Sequence, residues 1–499
     1  MSITRKGLLG LASGGLLAAA VGTTARPAVA ATARAPERIG PARRTLIRNA
    51  DVITLDAQLG ELHGTDVLME GGKIVAIGKA LAVDGAEVVD ATGMILMPGM
   101  VDGHRHIWQS VHSGAIPKIS PVINDYINWK MRVDVCYTPE DAYLAQYAGG
   151  LLSIDSGVTS VLDFCHTFHS AEAVEQAVKG LRDSGLPGTF AWQLSRHPVF
   201  GPGGSATMAQ IMTNSGQAPD EDHWRIAEHV RSLFSGDDDL LRFGLASPIY
   251  QDAPISRTAE TFARIRRLQP HVLAVHYHRS DKPFSDQSLQ NVRQMGEAGL
   301  LGPDFHIAHG HGMHDVELQM MRDNDSMICA TTMGEHSYPF PSVHGRAARA
   351  GVKVGIGIDT GVAFTHDYFQ HVRGSYYNLF RTDEGKQIAL SMSAEDVLNM
   401  ASGRAAAAIR EERAGTISVG KRADVLLLRT DRLDFPVMRA LAERVANFSS
   451  YSDLDSVWVA GVARKRDGRM VGVDMAALKQ KVNAMTERLH AQADTIRLT

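Results

Sequence analysis

Two histidines stand one residue apart in the segment PGMVDGHRHIWQS, directly after an apolar run and a Pro-Gly turn. In a β-strand, residues i and i+2 face the same side, so His104 and His106 can converge on one ion while Arg105 points away. Imidazole nitrogen is a common ligand of Zn²⁺ and related divalent ions. Taken alone, the pair fits a metal site and a polar strand end equally well.

More histidines, and one aspartate, follow other apolar runs that resemble strands. HVLAVHYH ends with His276 and His278, DFHIAHGHG ends with His309 and His311, and GVKVGIGIDT ends with Asp359. A single strand-end histidine is more often structural than a ligand. Several such ends in one repeating pattern favour a metal site instead, because a parallel barrel directs its strand ends at one pocket.

The elements that must position these residues form two patterns. Short β-rich runs such as TDVLMEGGKIVAIG lie between Gly and Asp turns near the start of the chain, and similar runs return near its end. These two segments predict a small β-sandwich built from residues 45–97 and 406–475. Between them, alternating strands and helices predict an α/β protein with a (β/α)8 barrel of TIM type over residues 98–405. Residues 476–499 have the spacing of an amphipathic helix, expected to serve in packing or in subunit contact within a homo-oligomer.

Composition limits the classes of partner. The 499 residues are 44% hydrophobic, which is enough for a large core. The formal net charge of −4 arises from 51 basic and 55 acidic residues without long single-sign runs, so we expect no nucleic-acid partner. The three cysteines form no C-x-x-C motif, which excludes cysteine zinc sites and the deaminase signature that depends on that motif.

Residues 1–30 have the layout of an export signal, with a short basic start, an apolar stretch and small residues near its end. The segment TRKGLL resembles a twin-arginine signal in which Lys6 replaces the second arginine. We therefore expect an exported protein, periplasmic or secreted, with residues 31–44 as a linker and no membrane contact after cleavage. A plain apolar N-terminal helix is the alternative.

Together the motifs resemble the amidohydrolase superfamily, in its branch of cytosine-deaminase-like and triazine-hydrolase-like enzymes. PGMVDGHRH is similar to the family's first-strand motif, IAHGHG to its sixth-strand histidine, GIGIDT to its eighth-strand aspartate and AGTISVGKRADVLLL to its returning sandwich strand. GVTSVLDFCH resembles the fourth unit of that branch. The similarity extends from residue 45 to residue 470, which is most of the chain.

The resemblance implies one divalent metal, Zn²⁺ in the first place and Fe²⁺ or Mn²⁺ as alternatives. Its ligands would be His104, His106, Asp359 and a fifth-strand histidine, for which we choose His276 because it directly follows VLAV. His278 is the alternative ligand. The lysine that bridges two metals in some members is absent from TSVLDFCH, which favours a single ion.

The resemblance also implies catalytic roles. His309 would hydrogen-bond the water that the metal activates, and Asp359 and His309 would accept and pass on its proton. Many relatives carry H-x-x-E on the fifth strand, but neither His276 nor His278 has a glutamate three residues later. His278 is then a candidate substrate contact or acid/base group. Glu335, expected at the pocket mouth after the seventh strand, is the candidate for the missing carboxylate. A solvated loop glutamate is the alternative.

Aromatic and histidine residues near the strand ends are weaker candidates for substrate contact, with ordinary packing as the alternative. The predicted substrate contacts are Trp108, His112, His166 and His336, and Tyr126, Trp129 and His169 lie in similar positions.

The predicted activity is the hydrolysis of a C–N bond in a small molecule by a metal-activated water. An aminohydrolase that removes an exocyclic group from a nitrogen heterocycle is the first hypothesis. Hydrolysis of a cyclic or acyclic amide on the same scaffold is the second, because sites and not folds set substrate class. A barrel that binds a metal or ligand without catalysis is the third.

Overall fold

A computed structural model describes residues 44–116, 122–196, 198–215, 217–234, 236, 240–248, 254–277, 292–337, 341–437 and 439–499. The expected export signal, nearly all of the expected linker, and His278 lie outside these residues. Within them, none of the helices combines the length and the apolar character needed to span a membrane.

The secondary structure of the described residues alternates as the sequence predicts. The strands, in chain order, are β1 (Arg44–Ile53), β2 (Glu61–Glu70), β3 (Lys73–Gly78), β4 (Glu87–Asp90), β5 (Ile95–Pro98), β6 (Met100–Arg105), β7 (Val158–Cys165), β8 (Gly188–Gln193), β9 (Ser205–Ala206), β10 (Leu241–Ala246), β11 (Leu273–Tyr277), β12 (Phe305–His309), β13 (Met327–Ala330), β14 (Lys353–Ile356), β15 (Val425–Leu428), β16 (Leu454–Val459), β17 (Val462–Arg466), β18 (Arg469–Met470) and β19 (Arg497–Leu498). The helices are α1 (Val122–Asp134), α2 (Pro139–Asp155), α3 (Ala171–Ser184), α4 (Met208–Ser215), α5 (Glu221–Ser232), α6 (Ile255–Arg267), α7 (Val292–Glu297), α8 (Asp315–Asp323), α9 (His344–Arg349), α10 (Tyr368–Asn378), α11 (Asp383–Ala389), α12 (Ala394–Met400), α13 (Gly403–Ala408), α14 (Leu441–Phe448) and α15 (Met475–Ala493). Short 3₁₀ turns lie at Ile107–His112, Gly334–Ser337, Leu379–Arg381 and Tyr451–Asp453.

Strands from both ends of the chain build one β unit, as predicted. It is a continuous nine-stranded sheet in the order β18-β17-β16-β15-β5-β1-β2-β3, with β4 paired to β1. The antiparallel pair β5–β15, in which Leu96 faces Leu427, joins the two halves. Ile47, Val67 and Trp458, contributed by both halves, are fully buried in a shared core, so neither half could bury its apolar face alone.

The central part of the chain forms the predicted barrel of eight parallel strands, β6, β7, β8 and β10–β14, each paired with its neighbour. The first and eighth strands close it through a bridge between Arg105 and Asp359. At this seam the Asp359 N–H donates to the His104 carbonyl at 2.9 Å, and the His106 N–H donates to the Asp359 carbonyl at 2.9 Å. The strands are buried over almost all of their length because helices or barrel contents cover both faces.

One assignment within the barrel was wrong. The segment Val158–Cys165, which resembles a fourth unit in sequence, is the second strand, and Leu241–Ala246 is the fourth. The rank of a unit is not encoded locally, because every unit repeats a short apolar strand followed by an amphipathic helix. The fourth strand has the sequence LRFGLA. It too has no lysine that could bridge two metals.

Helix α2 sets the position of the segment after the first barrel strand. It begins with a capping box in which Thr138 and Asp141 exchange hydrogen bonds, and Pro139 occupies its first turn. Gly149 lies against that segment so closely that a Cβ would stand 2.4 Å from the Ile107 carbonyl oxygen. The helix therefore packs directly behind the residues that follow His106.

The C-terminal helix α15 packs on the barrel side of the molecule. Asp474 caps it by accepting from the Ala477 N–H at 2.9 Å, and Met485, Leu489 and Ala493 form its buried stripe at a spacing of four residues. An ion pair joins Arg488 to Asp141 at the start of α2. The helix thus stabilises the segment after the first strand, as its apolar spacing predicts.

Candidate active site

Five of the predicted residues meet at the C-terminal end of the barrel. The Nε2 atoms of His104 and His106 lie 3.6 Å and 3.3 Å from Asp359 Oδ1. One ligand atom each of His104, His276 and His309 also falls within 4.8 Å of the others. The predicted ligands His104, His106, His276 and Asp359 therefore share one cluster, with His309 beside them.

Close approach of the first and eighth strands brings Asp359 to the two histidines. A Cβ on Gly357 would stand 2.6 Å from the His104 carbonyl oxygen and 2.7 Å from its nitrogen, so only glycine permits this contact. His309 and Asp359 adopt positive φ angles of 72° and 70°. Such angles are uncommon for residues other than glycine and cluster at functional sites, where the surrounding fold maintains them.

The orientation of His106 is fixed by a backbone acceptor. Its Nδ1 lies 2.6 Å from the Phe164 carbonyl oxygen on the second strand. A carbonyl can only accept, so Nδ1 carries the proton and Nε2 directs its lone pair toward Asp359. Metal-binding histidines are typically held by a hydrogen bond of this kind.

The charge states of the cluster suit a cation. Burial lowers the pKa of His104 to about 3 and holds the pKa of His276 well below its ordinary value. Burial alone would raise the pKa of Asp359, but the imidazoles of His104 and His106 outweigh it and hold that pKa well below the ordinary value. At neutral pH His104 and His276 are thus neutral and Asp359 is ionised, the forms that bind metal.

A divalent ion fits this arrangement. Both ring nitrogens of His104 are buried and have no hydrogen-bond partner among the described residues, a costly state for a polar group unless a ligand satisfies it. Three imidazoles and one carboxylate are typical ligands for Zn²⁺, and Fe²⁺ or Mn²⁺ accept them as well. The residues present therefore fit the metal that the sequence predicts.

Glu335 lies behind His309 and not at the pocket mouth, where the sequence placed it. The 3₁₀ turn Gly334–Ser337 folds back on the seventh strand, so that the Glu335 carboxylate accepts from the Thr331 N–H at 2.7 Å and is fully buried. Its Oε1 is 3.7 Å from His309 Nδ1. Burial alone would lower the pKa of His309, but Glu335 and Asp359 outweigh it and raise that pKa above its ordinary value. His336, on the same turn, is exposed.

His166 is the predicted substrate contact that lies nearest the cluster. Its ring stacks on His106 with centroids 3.9 Å apart. The Trp108 indole donates to His166 Nδ1 at 3.3 Å, and the Tyr126 hydroxyl lies 3.3 Å from Nε2. Trp108 is itself fully buried, so it holds His166 rather than lining an open pocket.

The remaining aromatic candidates support this region from outside. His112 is buried, with Nε2 2.6 Å from the Tyr137 hydroxyl and Nδ1 3.1 Å from Nε2 of His490 on α15. The Trp129 ring lies parallel to Trp108 at 6.0 Å. His169 pairs with Asp134 at 3.1 Å. None of the described contacts of these three residues reaches the metal-binding cluster.

Sequence reasoning missed two contributors. Thr331, directly after the seventh strand, has its Oγ1 2.8 Å from His309 Nδ1, and the Phe164 carbonyl orients His106. The hydroxyl four residues before Glu335 was a usable signal, whereas a backbone carbonyl leaves none. Arg105 points away from the cluster, where it donates to Ser110 Oγ at 3.1 Å.

Comparison with known proteins agrees with the fold described above. Residues 243–463 match the Amidohydrolase family model. The 5'-deoxyadenosine deaminase of Methanothermobacter thermautotrophicus is 26% identical over 438 residues, covering 83% of this chain and 92% of the relative. An adenosine deaminase from Xanthomonas campestris with bound zinc superposes with a TM-score of 0.74 at 18% identity, covering 90% and 99% of the two chains. Atrazine chlorohydrolase from Arthrobacter aurescens, complexed with zinc, gives a TM-score of 0.74 at 20% identity, covering 88% and 99%. The chain is thus similar to the Amidohydrolase family over residues 243–463 and shares the fold of these zinc-containing enzymes over most of its length.

Proposed function

We propose that the protein is a metal-dependent aminohydrolase that replaces an exocyclic amino group of a nitrogen heterocycle with oxygen from water, releasing ammonia. The observation that carries this proposal is the convergence of His104, His106, His276, His309 and Asp359 in one buried cluster. The relatives support the substrate class, since two act on adenine nucleosides by name and the third is named for a triazine.

We propose Zn²⁺ as the ion, held by His104, His106, His276 and Asp359. Bound there, a divalent ion would lower the pKa of water toward about 7 and polarise the substrate. The zinc-containing structural neighbours support this choice over Fe²⁺ or Mn²⁺.

Proton movement in the proposed reaction falls to Asp359 and His309. The Asp359 carboxylate is ionised at neutral pH, so it can accept the proton of the attacking water. The new C–O bond forms as that proton leaves, and the C–N bond then breaks after Asp359 or His309 delivers a proton to the departing nitrogen. His278 is a further proton donor in this proposal, on the sequence pattern alone.

His166 is proposed to contact the heterocycle. Its position against His106, and its bonds to Trp108 and Tyr126, give it a fixed orientation. Trp108 and His112 are buried against other protein groups, so the proposed role of these two residues is support of the pocket wall. His336, in contrast, is exposed.

The test is ammonia release by the zinc-loaded protein over a panel of adenosine, 5'-deoxyadenosine, other purines, pyrimidines, amino-triazines and amides. We expect turnover of at least one aminated heterocycle and a loss of at least about 10³-fold in Asp359→Asn. His63→Ala is the matched histidine control for His104→Ala, because His63 is exposed on the β unit. Turnover of amides alone would favour the second hypothesis. Bound zinc without any turnover would favour the non-catalytic barrel.

We also propose that the protein is exported, on the layout of residues 1–30. Cell fractionation of the full chain should place it outside the cytoplasm, and Arg5→Ala should retain it inside if the twin-arginine signal is used.

A further inference from the structure

A buried chain of hydrogen bonds leads from Glu335 through Thr331 to His309. Glu335 Oε1 accepts from the Thr331 N–H at 2.7 Å and lies 3.2 Å from the Thr331 hydroxyl. The same hydroxyl oxygen is 2.8 Å from His309 Nδ1. All three side chains are almost completely enclosed, so solvent does not compete for these bonds.

The direction of each bond follows from the chemistry of the groups. An ionised carboxylate can only accept, so the single hydroxyl proton of Thr331 points to Glu335. The oxygen of Thr331 is then left to accept, which requires a proton on His309 Nδ1. The neutral ring must in that case carry its lone pair on Nε2.

We propose that Glu335 is a positioning residue that acts through Thr331 to hold His309 as the Nδ1-protonated tautomer. This places the basic Nε2 lone pair on the opposite side of the ring. The effect of this positioning role on turnover rests on the proposed function. The role replaces the idea that Glu335 contacts the substrate directly.

The cost of burying Glu335 supports a specific role. A carboxylate removed from water is strongly unfavourable unless polar partners compensate it. Here two of the compensating bonds to Glu335 come from one residue, Thr331. The side-chain partners described for Thr331 are Glu335 and His309. The positive φ of His309 fixes its backbone, so the hydrogen-bond chain only has to set the ring and its proton.

The first test compares two substitutions at one position. Thr331→Val keeps the shape but removes the hydroxyl, and Thr331→Ser keeps the hydroxyl. Loss of an orienting partner typically costs about 10–100-fold, so we expect Thr331→Val and Glu335→Met to lower kcat by that factor with KM within about threefold. Thr331→Ser should stay within about threefold of the unmodified protein. Equal activity of the valine and serine variants would overturn the proposal.

The second test does not depend on turnover. Nitrogen NMR of the metal-free protein labelled with ¹⁵N-histidine, at pH 9 where imidazole is neutral, reports which ring nitrogen carries the proton, and His309→Gln assigns the signal. We expect the Nδ1 proton in the unmodified protein and in Thr331→Ser, and a mixed or reversed tautomer in Thr331→Val and Glu335→Met. An Nε2 proton in the unmodified protein would refute the hydrogen-bond chain.

The two tests separate the two proposals. If the substrate panel shows no turnover, the proposed function fails while the tautomer of His309 is still measured. If turnover is present but the tautomer is the same in all folded variants, the positioning role fails alone. Should Thr331→Val not fold, Glu335→Met provides the same comparison at the other end of the chain of bonds.

Discussion

Gly357→Ala should damage both the fold and the metal site, although residue 357 contributes no side chain to either. The added Cβ would lie 2.6 Å from the His104 carbonyl oxygen, 2.7 Å from the His104 nitrogen and 2.8 Å from Asp102 Oδ1. Two of these atoms belong to the backbone and cannot rotate away. The eighth strand must therefore move away from the first strand, at the seam that brings Asp359 to the histidines.

The magnitude follows from the contacts. Overpacking of a core costs about 1–3 kcal/mol. Separation of the strands also weakens the bonds from the Asp359 N–H to the His104 carbonyl and from the Ile358 N–H to Asp102, each worth about 1 kcal/mol. The total is about 3–5 kcal/mol. With about 2.1 cal/mol/K of unfolding entropy per residue, a fold of this length should lose about 3–5 °C in Tm.

The metal site should be affected more than the fold. The new Cβ must move about 0.8 Å from the His104 carbonyl oxygen to reach an ordinary separation of 3.4 Å. Metal–ligand distances, in contrast, vary by only about 0.2 Å around their preferred values. We therefore expect clear loss of zinc under conditions in which the unmodified protein retains it.

The assay is thermal unfolding combined with metal analysis of dialysed protein. Gly201→Ala is the matched control, because a Cβ on Gly201 would have no atom within 4 Å and the residue has no positive φ. The reasoning would be refuted if Gly357→Ala matched Gly201→Ala in both Tm and zinc content. A lower Tm with full zinc content would refute the link between the seam and the ligand geometry.

Three further outcomes are expected. Removal of the metal with a chelator should lower Tm, and zinc should restore it, whereas His104→Ala should not respond, since an ion that binds only the folded state stabilises it. Burial alone would raise the pKa of Asp134, but Lys130 and His169 outweigh it and hold that pKa below its ordinary value of 3.8. The Asp134 carboxylate therefore stabilises the fold above about pH 4 and loses this effect as pH falls toward its lower folded-state pKa. Asp134→Asn should cost about 3 kcal/mol at pH 7, with a smaller difference at pH 3 by urea unfolding. His112→Phe should cost about 1–3 kcal/mol, because it leaves the part-buried Tyr137 hydroxyl without its His112 hydrogen-bond partner, and proteolysis should then release α15 faster than in a His63→Phe control.

The sequence predicted the parts of the site that follow from strand geometry. Residues two apart on a strand share a face, so His104 and His106 could be paired from the sequence alone. Strand ends of a parallel barrel share a pocket, so His276, His309 and Asp359 could be added to them. These inferences need only a period of two and the direction of the strands.

The parts that were missed depend on loop conformation and on distant segments. Nothing local in CATTMGEHSYP shows that a 3₁₀ turn carries Glu335 back against His309. His112 is a plausible substrate contact by its position in the sequence, but α15, whose His490 lies 378 residues further along the chain, covers it. The second strand resembled a fourth unit because its pattern is the one that all units of the barrel share.

The exposures of the acidic groups and of the sixth-strand histidine limit how protons can move in this site. Among the described residues of the cluster, the side chain of Asp359 is 18% exposed, that of His309 5% and that of Glu335 0%. Asp359 is therefore the carboxylate of this group that a substrate can reach, and Glu335 can act only through His309. In the proposed reaction, Asp359 and His309 are the described residues that would share the proton transfers of water attack and leaving-group departure, so the tautomer of His309 would govern its part in the second transfer.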